Sequence, residues 1–97
     1  MFEVIISREA LNGLEKTIEY YLEINPTYSK KIYKAFFQYL EKLKMNPFIY
    51  KRLNFLQNYR RIIVLKRFLI IYRIINKKIN VVLFVDGTTN YKTLLKK

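Results

Sequence analysis

Residues 59–86 have the sequence YRRIIVLKRFLIIYRIINKKINVVLFVD, and this stretch decides the fold class. It contains three runs rich in Ile, Val, Leu and aromatic residues, at positions 59–65, 68–75 and 79–85. Runs this short, without a 3.6-residue period and separated by basic or Asn-containing turns, predict consecutive antiparallel strands. The middle run is apolar on both faces, as expected of a central strand. The C-terminal half therefore predicts an antiparallel β-sheet.

The segment before these strands predicts two helices. Apolar residues recur at spacings of three and four from Leu11 onward, after Ser7, a favoured helix N-cap. A second apolar stripe runs through residues 28–45. Asn25-Pro26 and Asn46-Pro47 mark the helix ends, because proline disfavours the α conformation in the residue before it. Two helices joined by so short a turn predict an antiparallel hairpin, whose apolar stripe a sheet would cover.

These elements predict one α+β domain that spans residues 1–97. A chain of 97 residues is too short to form two independent cores. Residues 2–6 form an apolar, β-branched run that predicts an N-terminal strand, and the tail from residue 90 predicts a short helix or a final extended segment. The predicted order is β-α-α-β-β-β followed by this tail, with the helical hairpin packed on an antiparallel sheet.

The composition excludes several kinds of chemistry. The chain has no Cys and therefore no disulfide framework or thiol nucleophile, and it has no His, the usual general acid and base near neutral pH. Five of the six glutamates fall on the outer faces of the predicted helices and Glu3 lies in the predicted N-terminal strand, so no pair of carboxylates is set up for hydrolysis. No metal or cofactor is predicted. Because no stretch approaches the roughly 18 apolar residues of a membrane span, we expect no membrane contact and a cytoplasmic location.

Positive charge is concentrated in the C-terminal half. Residues 1–45 carry seven Lys/Arg against six Glu, whereas residues 46–97 carry twelve Lys/Arg against Asp86 alone. The halves thus contribute +1 and +11 to the formal net charge of +12. Such asymmetry points to nucleic acid, the ribosome or an acidic protein as the partner. The sequence Asp86-Gly87 after a strand predicts a turn, so the single acid of this half is not a catalytic candidate.

Cations and aromatic residues are interleaved through residues 50–92. Phosphate contacts together with stacking surfaces are what RNA binding requires, although each of these lysines taken alone is an ordinary solvated side chain. The candidate nucleic-acid or target-binding residues are Lys51, Arg52, Arg61, Lys66, Arg67 and Lys92.

A second candidate site follows from the first hairpin of the predicted sheet. If Lys66-Arg67 is its two-residue loop, Arg60 lies directly opposite Arg73 on the neighbouring strand. Two guanidinium groups in that position repel one another unless an anion or an acidic side chain lies between them. The alternative is that both side chains extend into solvent.

Several motifs follow one another in the order and spacing of a known family. They are Leu43 to Pro47 as Leu-x-x-x-Pro, residues 59–64, residues 68–74, Val85-Asp86-Gly87, Asn90-Tyr91 and Leu94-Leu95. Over nearly its whole length the chain resembles the RelE/ParE toxins of bacterial type II toxin–antitoxin modules. The resemblance implies the RelE/ParE-like fold, a cognate antitoxin that covers the basic surface, and contact with operator DNA only through that antitoxin. It also implies roles in growth arrest and plasmid stabilization.

The resemblance implies one of two toxic activities. RelE-type toxins are ribosome-dependent, metal-independent endoribonucleases that cut mRNA, and on that pattern Arg60, Arg73 and Tyr91 would be catalytic. Many relatives carry an arginine just after the glycine of the last strand, where this chain has Thr88 and Thr89. ParE-type toxins poison DNA gyrase without a catalytic set and typically have a long helical hairpin, as predicted here. We therefore favour DNA gyrase as the target, with mRNA cleavage as the alternative and a non-toxic RNA-binding protein as a more distant one.

Overall fold

The computed structural model describes residues 2–95 and confirms the predicted α+β fold. Its elements are β1 (Glu3–Ile6), α1 (Arg8–Ile24), α2 (Pro26–Met45), β2 (Tyr59–Val64), β3 (Phe68–Ile75), β4 (Lys78–Asp86) and α3 (Lys92–Leu95). Residues 92–95 of the predicted tail thus form a short helix, and residues 96 and 97 lie outside the described residues. Within the described residues, no helix combines the length and the apolar character that crossing a membrane requires.

The four strands form one sheet in the order β1-β4-β3-β2. β2, β3 and β4 are the predicted antiparallel strands, and β3 is central because it pairs on both sides. β1 joins the edge of β4 in parallel, with Glu3 opposite Lys78 and Ile6 opposite Val81. β1 and β2 are therefore the two edge strands.

Polar side chains fix both ends of α1. The Ser7 hydroxyl oxygen accepts a hydrogen bond of 3.0 Å from the N–H of Ala10, as an N-cap does, and donates one of 2.9 Å to the carbonyl of Val82 in β4. Asn25 ends α1 and begins α2: its N–H donates to Tyr21, and its side-chain oxygen accepts from the N–H of Tyr28. Because Asn25 is also the N-cap of α2, that helix begins at Pro26, two residues before the predicted stripe.

The sheet has two faces with separate apolar clusters. The helix face lies under α1 and α2 and buries the larger cluster, whose members include Leu14, Ile32, Phe36, Ile62, Val64, Phe68, Ile70, Tyr72, Ile79, Val81 and Phe84. The opposite face, here called the open face, carries a smaller cluster of Leu53, Leu69, Ile71 and Leu83, against which Phe55, Tyr91 and Leu95 pack. Since side chains alternate along a strand, consecutive residues of β2 lie on opposite faces.

The β2–β3 hairpin differs from the prediction by one residue. Its loop has three residues, 65–67, so that Val64 pairs with Phe68. Leu65 and Lys66 both adopt the left-handed conformation, with φ of 53° and 60°, and the N–H of Arg67 donates to the Val64 carbonyl over 3.1 Å. The loop closes in this way although it lacks the Gly or Asn that such conformations favour.

The change of register separates the two arginines that were predicted to face each other. Arg60 pairs with Tyr72, and Arg73 pairs with Tyr59, so the predicted opposition of Arg60 and Arg73 is wrong. The physical reason is burial. With Val64 opposite Phe68, Ile62 and Val64 lie on the helix face and enter the large cluster, at 1% and 0% exposure. Arg60 therefore lies on the helix face and Arg73 on the open face.

Candidate functional site

Four of the predicted binding residues converge on one cleft beside the outer edge of β2. Its cations are Lys51, Arg52, Arg61 and Lys92, and Leu53, Asn54, Phe55 and Tyr91 complete its lining. We call these eight residues the basic cleft. Its volume is about 430 Å³, and none of the lining residues is acidic. Among residues 2–95 the ion pairs are Lys44 with Glu41 and Arg67 with Asp86, so no described carboxylate pairs with the cations of the cleft.

The segment before β2 builds one wall of the basic cleft. Residues 51–53 run antiparallel to the start of β2: the N–H of Leu53 donates to Tyr59 over 2.9 Å, and the N–H of Arg61 donates to Lys51 over 3.0 Å. Arg52 and Arg60 form the bridge between these two bonds. This pairing puts Lys51 directly opposite Arg61. Two like-charged residues are thus cross-strand neighbours, an arrangement that costs free energy in the absence of an anion.

The C-terminal segment builds the other wall. The rings of Tyr91 and Phe55 have centroids 5.8 Å apart, and the Lys92 ammonium lies 5.0 Å from the Phe55 centroid. Tyr91 also packs against the open-face cluster, which holds the start of α3 over the sheet. The cleft therefore combines four cations with aromatic rings whose positions are set by packing.

Arg60 makes its contacts on the other side of the sheet. One guanidinium nitrogen, Nη1, donates to the carbonyls of Phe48 and Tyr50 over 3.1 and 2.8 Å. The guanidinium carbon also lies 5.5 Å from the centroid of the Phe48 ring. Arg60 thus holds the chain just before Lys51. Its Nη1 already donates to two backbone carbonyls.

Tyr72 holds the same segment from inside the core. Its hydroxyl donates a 2.6 Å hydrogen bond to the carbonyl of Pro47. Burial raises the pKa of Tyr72 well above its usual value, although the positive charge of Arg60 opposes the shift. The hydroxyl therefore stays protonated and remains a donor throughout the range in which proteins fold.

Replacing Tyr72 by phenylalanine is expected to lower the free energy of unfolding by about 1 to 2 kcal/mol, because the buried Pro47 carbonyl loses its donor. Urea denaturation of the parent and the variant measures the difference. Tyr39→Phe is a suitable control, since Tyr39 packs next to Tyr50 but its hydroxyl makes no hydrogen bond within residues 2–95. An equal loss in both variants would contradict the role of the Pro47 bond.

Arg73 borders a different and larger cleft on the open face. This cleft, of about 660 Å³, lies between α1, β4 and α3, and its lining includes Glu9, Lys16, Tyr59, Leu94 and Leu95. The Arg73 guanidinium lies 5.3 Å from the centroid of the Tyr59 ring. Within the described part of the chain, its Nε is buried and has no hydrogen-bond partner. Arg73 is thus positioned by stacking on its cross-strand neighbour.

Lys66 and Arg67 lie at the far end of β2, in the hairpin loop. Arg67 stacks over Tyr21 at 5.7 Å and contacts Asp86 at 3.5 Å. The Asp86 carboxylate accepts hydrogen bonds from the N–H and hydroxyl of Thr88, which lower its pKa, and Arg67 lowers it further. Asp86 therefore organises the turn after β4, in agreement with the sequence prediction.

The structure divides the predicted site residues among several surfaces. It brings Lys51, Arg52, Arg61, Lys92 and Tyr91 together, and Arg52 also lines the cleft that contains Arg60. Arg73 and the Lys66-Arg67 loop lie in two further places. Sequence reasoning did not find the pairing of residues 51–53 with β2, which creates the Lys51–Arg61 contact. The only local signal was the apolar Leu53 next to two cations, which is too short to define a strand.

Comparison with known proteins places this geometry in a family. The model of the ParE toxin of the type II toxin–antitoxin system parDE matches residues 4–91. A solved structure titled as the chromosomal ParDE toxin–antitoxin system from P. aeruginosa superimposes with a TM-score of 0.66 at 18% sequence identity. The match covers 89% of this chain and 96% of that one, and at this identity it concerns the fold. No curated protein matches the sequence.

Proposed function

The chain belongs to the ParE toxin family of type II toxin–antitoxin systems, and from this we propose that it arrests growth by poisoning DNA gyrase and is neutralised by a cognate antitoxin. The family match carries the proposal, because residues 4–91 include the whole helical hairpin, β2 to β4 and all of β1 except Glu3. The proposed location is the cytoplasm, where gyrase acts.

The distribution of the arginines supports a toxin that acts by binding. The three residues that a RelE-type ribonuclease would use are spread over both faces of the sheet: Arg60 lies on the helix face, and Arg73 and Tyr91 line separate clefts of the open face. Arg60 is also occupied by two backbone carbonyls. A gyrase poison needs no such set, since its effect depends on the surface that contacts the target.

The proposed antitoxin supplies the negative charge that the chain lacks. The C-terminal half has a net charge of +11, and the basic cleft contains no acid. An acidic segment that orders on binding would neutralise this surface and block access of the target. Operator DNA would be bound by the antitoxin, with the toxin attached to it.

Ribosome-dependent mRNA cleavage is the second candidate, and one observation favours it. Tyr91 lies in the same cleft as Lys51 and Arg61, so a phenol and two cations surround a space that a phosphodiester could enter. A ribonuclease built on this cleft would use Tyr91 for proton transfer and the cations for the developing charge, without Arg60 or Arg73.

Pulse labelling after induced expression in bacteria that lack the antitoxin separates the two candidates. We expect thymidine incorporation to fall before methionine incorporation, and purified chain to trap gyrase on cleaved plasmid DNA. An early fall in methionine incorporation, with intact DNA, would instead indicate mRNA cleavage. Unchanged growth with abundant folded protein would contradict the toxin proposal as a whole.

A further inference from the structure

The cross-strand pairing of Lys51 with Arg61 indicates that the basic cleft is built for an anion. The backbone bond between these residues fixes their Cα atoms opposite one another, so the two charged side chains leave the backbone at neighbouring positions. Like charges held opposite one another destabilise the free chain, and a bound anion removes that cost.

The aromatic lining narrows the class of anion. Tyr91 and Phe55 lie beside the cations, and the Asn54 side chain adds an amide that can donate and accept hydrogen bonds. Unstacked bases bind to aromatic rings while the neighbouring phosphates bind Lys and Arg, which is the usual combination in single-strand binding sites. A free inorganic anion would use the cations alone, whereas a nucleotide would also contact the rings, which packing leaves half-exposed.

From this combination we propose that the basic cleft binds a single strand of nucleic acid. Lys51, Arg61 and their neighbouring cations hold successive phosphates, and a base stacks against Tyr91. A volume of about 430 Å³ lies within the range of about 300–1,000 Å³ that is usual for ligand sites. This goes beyond gyrase poisoning, which requires only contact with a protein, and it can be measured without gyrase.

The test uses the purified chain and fluorescently labelled oligonucleotides of about twelve nucleotides. Single-stranded DNA, single-stranded RNA of the same sequence, and duplex DNA are each titrated at several salt concentrations. The first variant is Lys51→Gln/Arg61→Gln. Its control is Lys30→Gln/Lys34→Gln, which removes the same two charges from exposed positions of α2.

We expect the cleft variant to bind single strands about tenfold more weakly, and its slope of log K against log salt to be shallower by about 1.4. The α2 control changes affinity by less than about twofold. Equal weakening in both variants would overturn the proposal, since it would mean that net charge alone causes binding. Tighter binding of duplex than of single strands would overturn it as well.

A separate variant tests the stacking contact. Tyr91→Leu keeps an apolar side chain on the open-face cluster but removes the aromatic ring, and we expect about tenfold weaker binding of single strands. Circular dichroism and thermal unfolding confirm that the variant is folded. Parent-like affinity in a folded Tyr91→Leu variant would overturn the placement of a base.

In the titrations of the parent chain, preference for RNA over DNA would identify an RNA strand as the ligand. Equal affinity would mean that the cleft binds the phosphates and bases that the two kinds of strand share.

Discussion

A chain with alanine in place of Gly13 is expected to unfold with a free energy about 2 kcal/mol lower than that of the parent. Gly13 lies where α1 crosses the edge of β4, and a Cβ atom at this position would overlap the carbonyl oxygen of Phe84. Because that atom belongs to the backbone, it cannot rotate away, so α1 must move off the sheet. Overpacking of this kind costs about 3 kcal/mol, and the better helix propensity of alanine returns about 1 kcal/mol.

Urea denaturation measures this loss, and Gly87→Ala provides the comparison. A Cβ at Gly87 would lie 3.0 Å from the carbonyl oxygen of Arg67, a contact that a small shift relieves. Gly87 does not have a positive φ, so alanine is compatible with its backbone. We expect a loss of less than about 1 kcal/mol there. A Gly13→Ala variant as stable as the parent would show that α1 can shift on the sheet without cost.

The elements of the fold could be predicted because local signals and tertiary packing agree. Ser7 caps α1, and Asn25 before Pro26 ends it, as their side chains and the proline ring dictate. The three apolar runs form the three antiparallel strands, and the run that is apolar on both faces is the middle one of the three. Each of these residue types favours one kind of position: a Ser before a helix caps it, a residue before proline ends it, and a run that is apolar on both faces forms an inner strand.

The register of the β2–β3 hairpin could not be predicted in the same way. Both faces of the sheet bury apolar side chains, so the alternation of residues 59–64 does not reveal which set faces the helices. The choice depends on which residues of β2 are buried under the helices, and Ile62 and Val64 enter the large cluster together with Phe36 of α2, a residue distant in the sequence. A contact between residues so far apart in the sequence leaves no local pattern. The register was therefore predicted wrongly, and Arg60 was placed opposite Arg73 instead of Tyr72.

The same limit applied to the basic cleft. Its four cations were identified from composition, but the sequence grouped them with Lys66 and Arg67, which lie at the far end of β2. What unites Lys51 with Arg61 is a pair of backbone hydrogen bonds to an irregular segment. The pattern of side chains in a sequence indicates charge and burial, but it carries little information on backbone pairing between an irregular segment and a strand.

Substituting the adjacent residues Arg60 and Arg61 is expected to have different effects on the stability of the protein. Arg60→Ala removes the donor to the Phe48 and Tyr50 carbonyls, and we expect the free energy of unfolding to fall by about 2 kcal/mol. Residues 51–53 lose their support, so the amides of Leu53 and Arg61 should exchange hydrogen faster. Arg61→Ala removes one of two opposed charges, and we expect stability within about 0.5 kcal/mol of the parent.

Growth arrest then distinguishes support from direct contact. We expect Arg61→Ala to relieve growth arrest while the protein stays as stable as the parent, because Arg61 lines the basic cleft and its side chain makes no hydrogen bond within residues 2–95. Arg60→Ala should relieve it only to the extent that the 51–53 segment loosens, and a lower growth temperature, which favours the paired state, should restore part of the toxicity. A stable Arg60→Ala variant with slow exchange at Leu53 and no toxicity would contradict this assignment. Arg60 would then contact the target itself, and the helix face beside Phe48 would be part of the toxic surface.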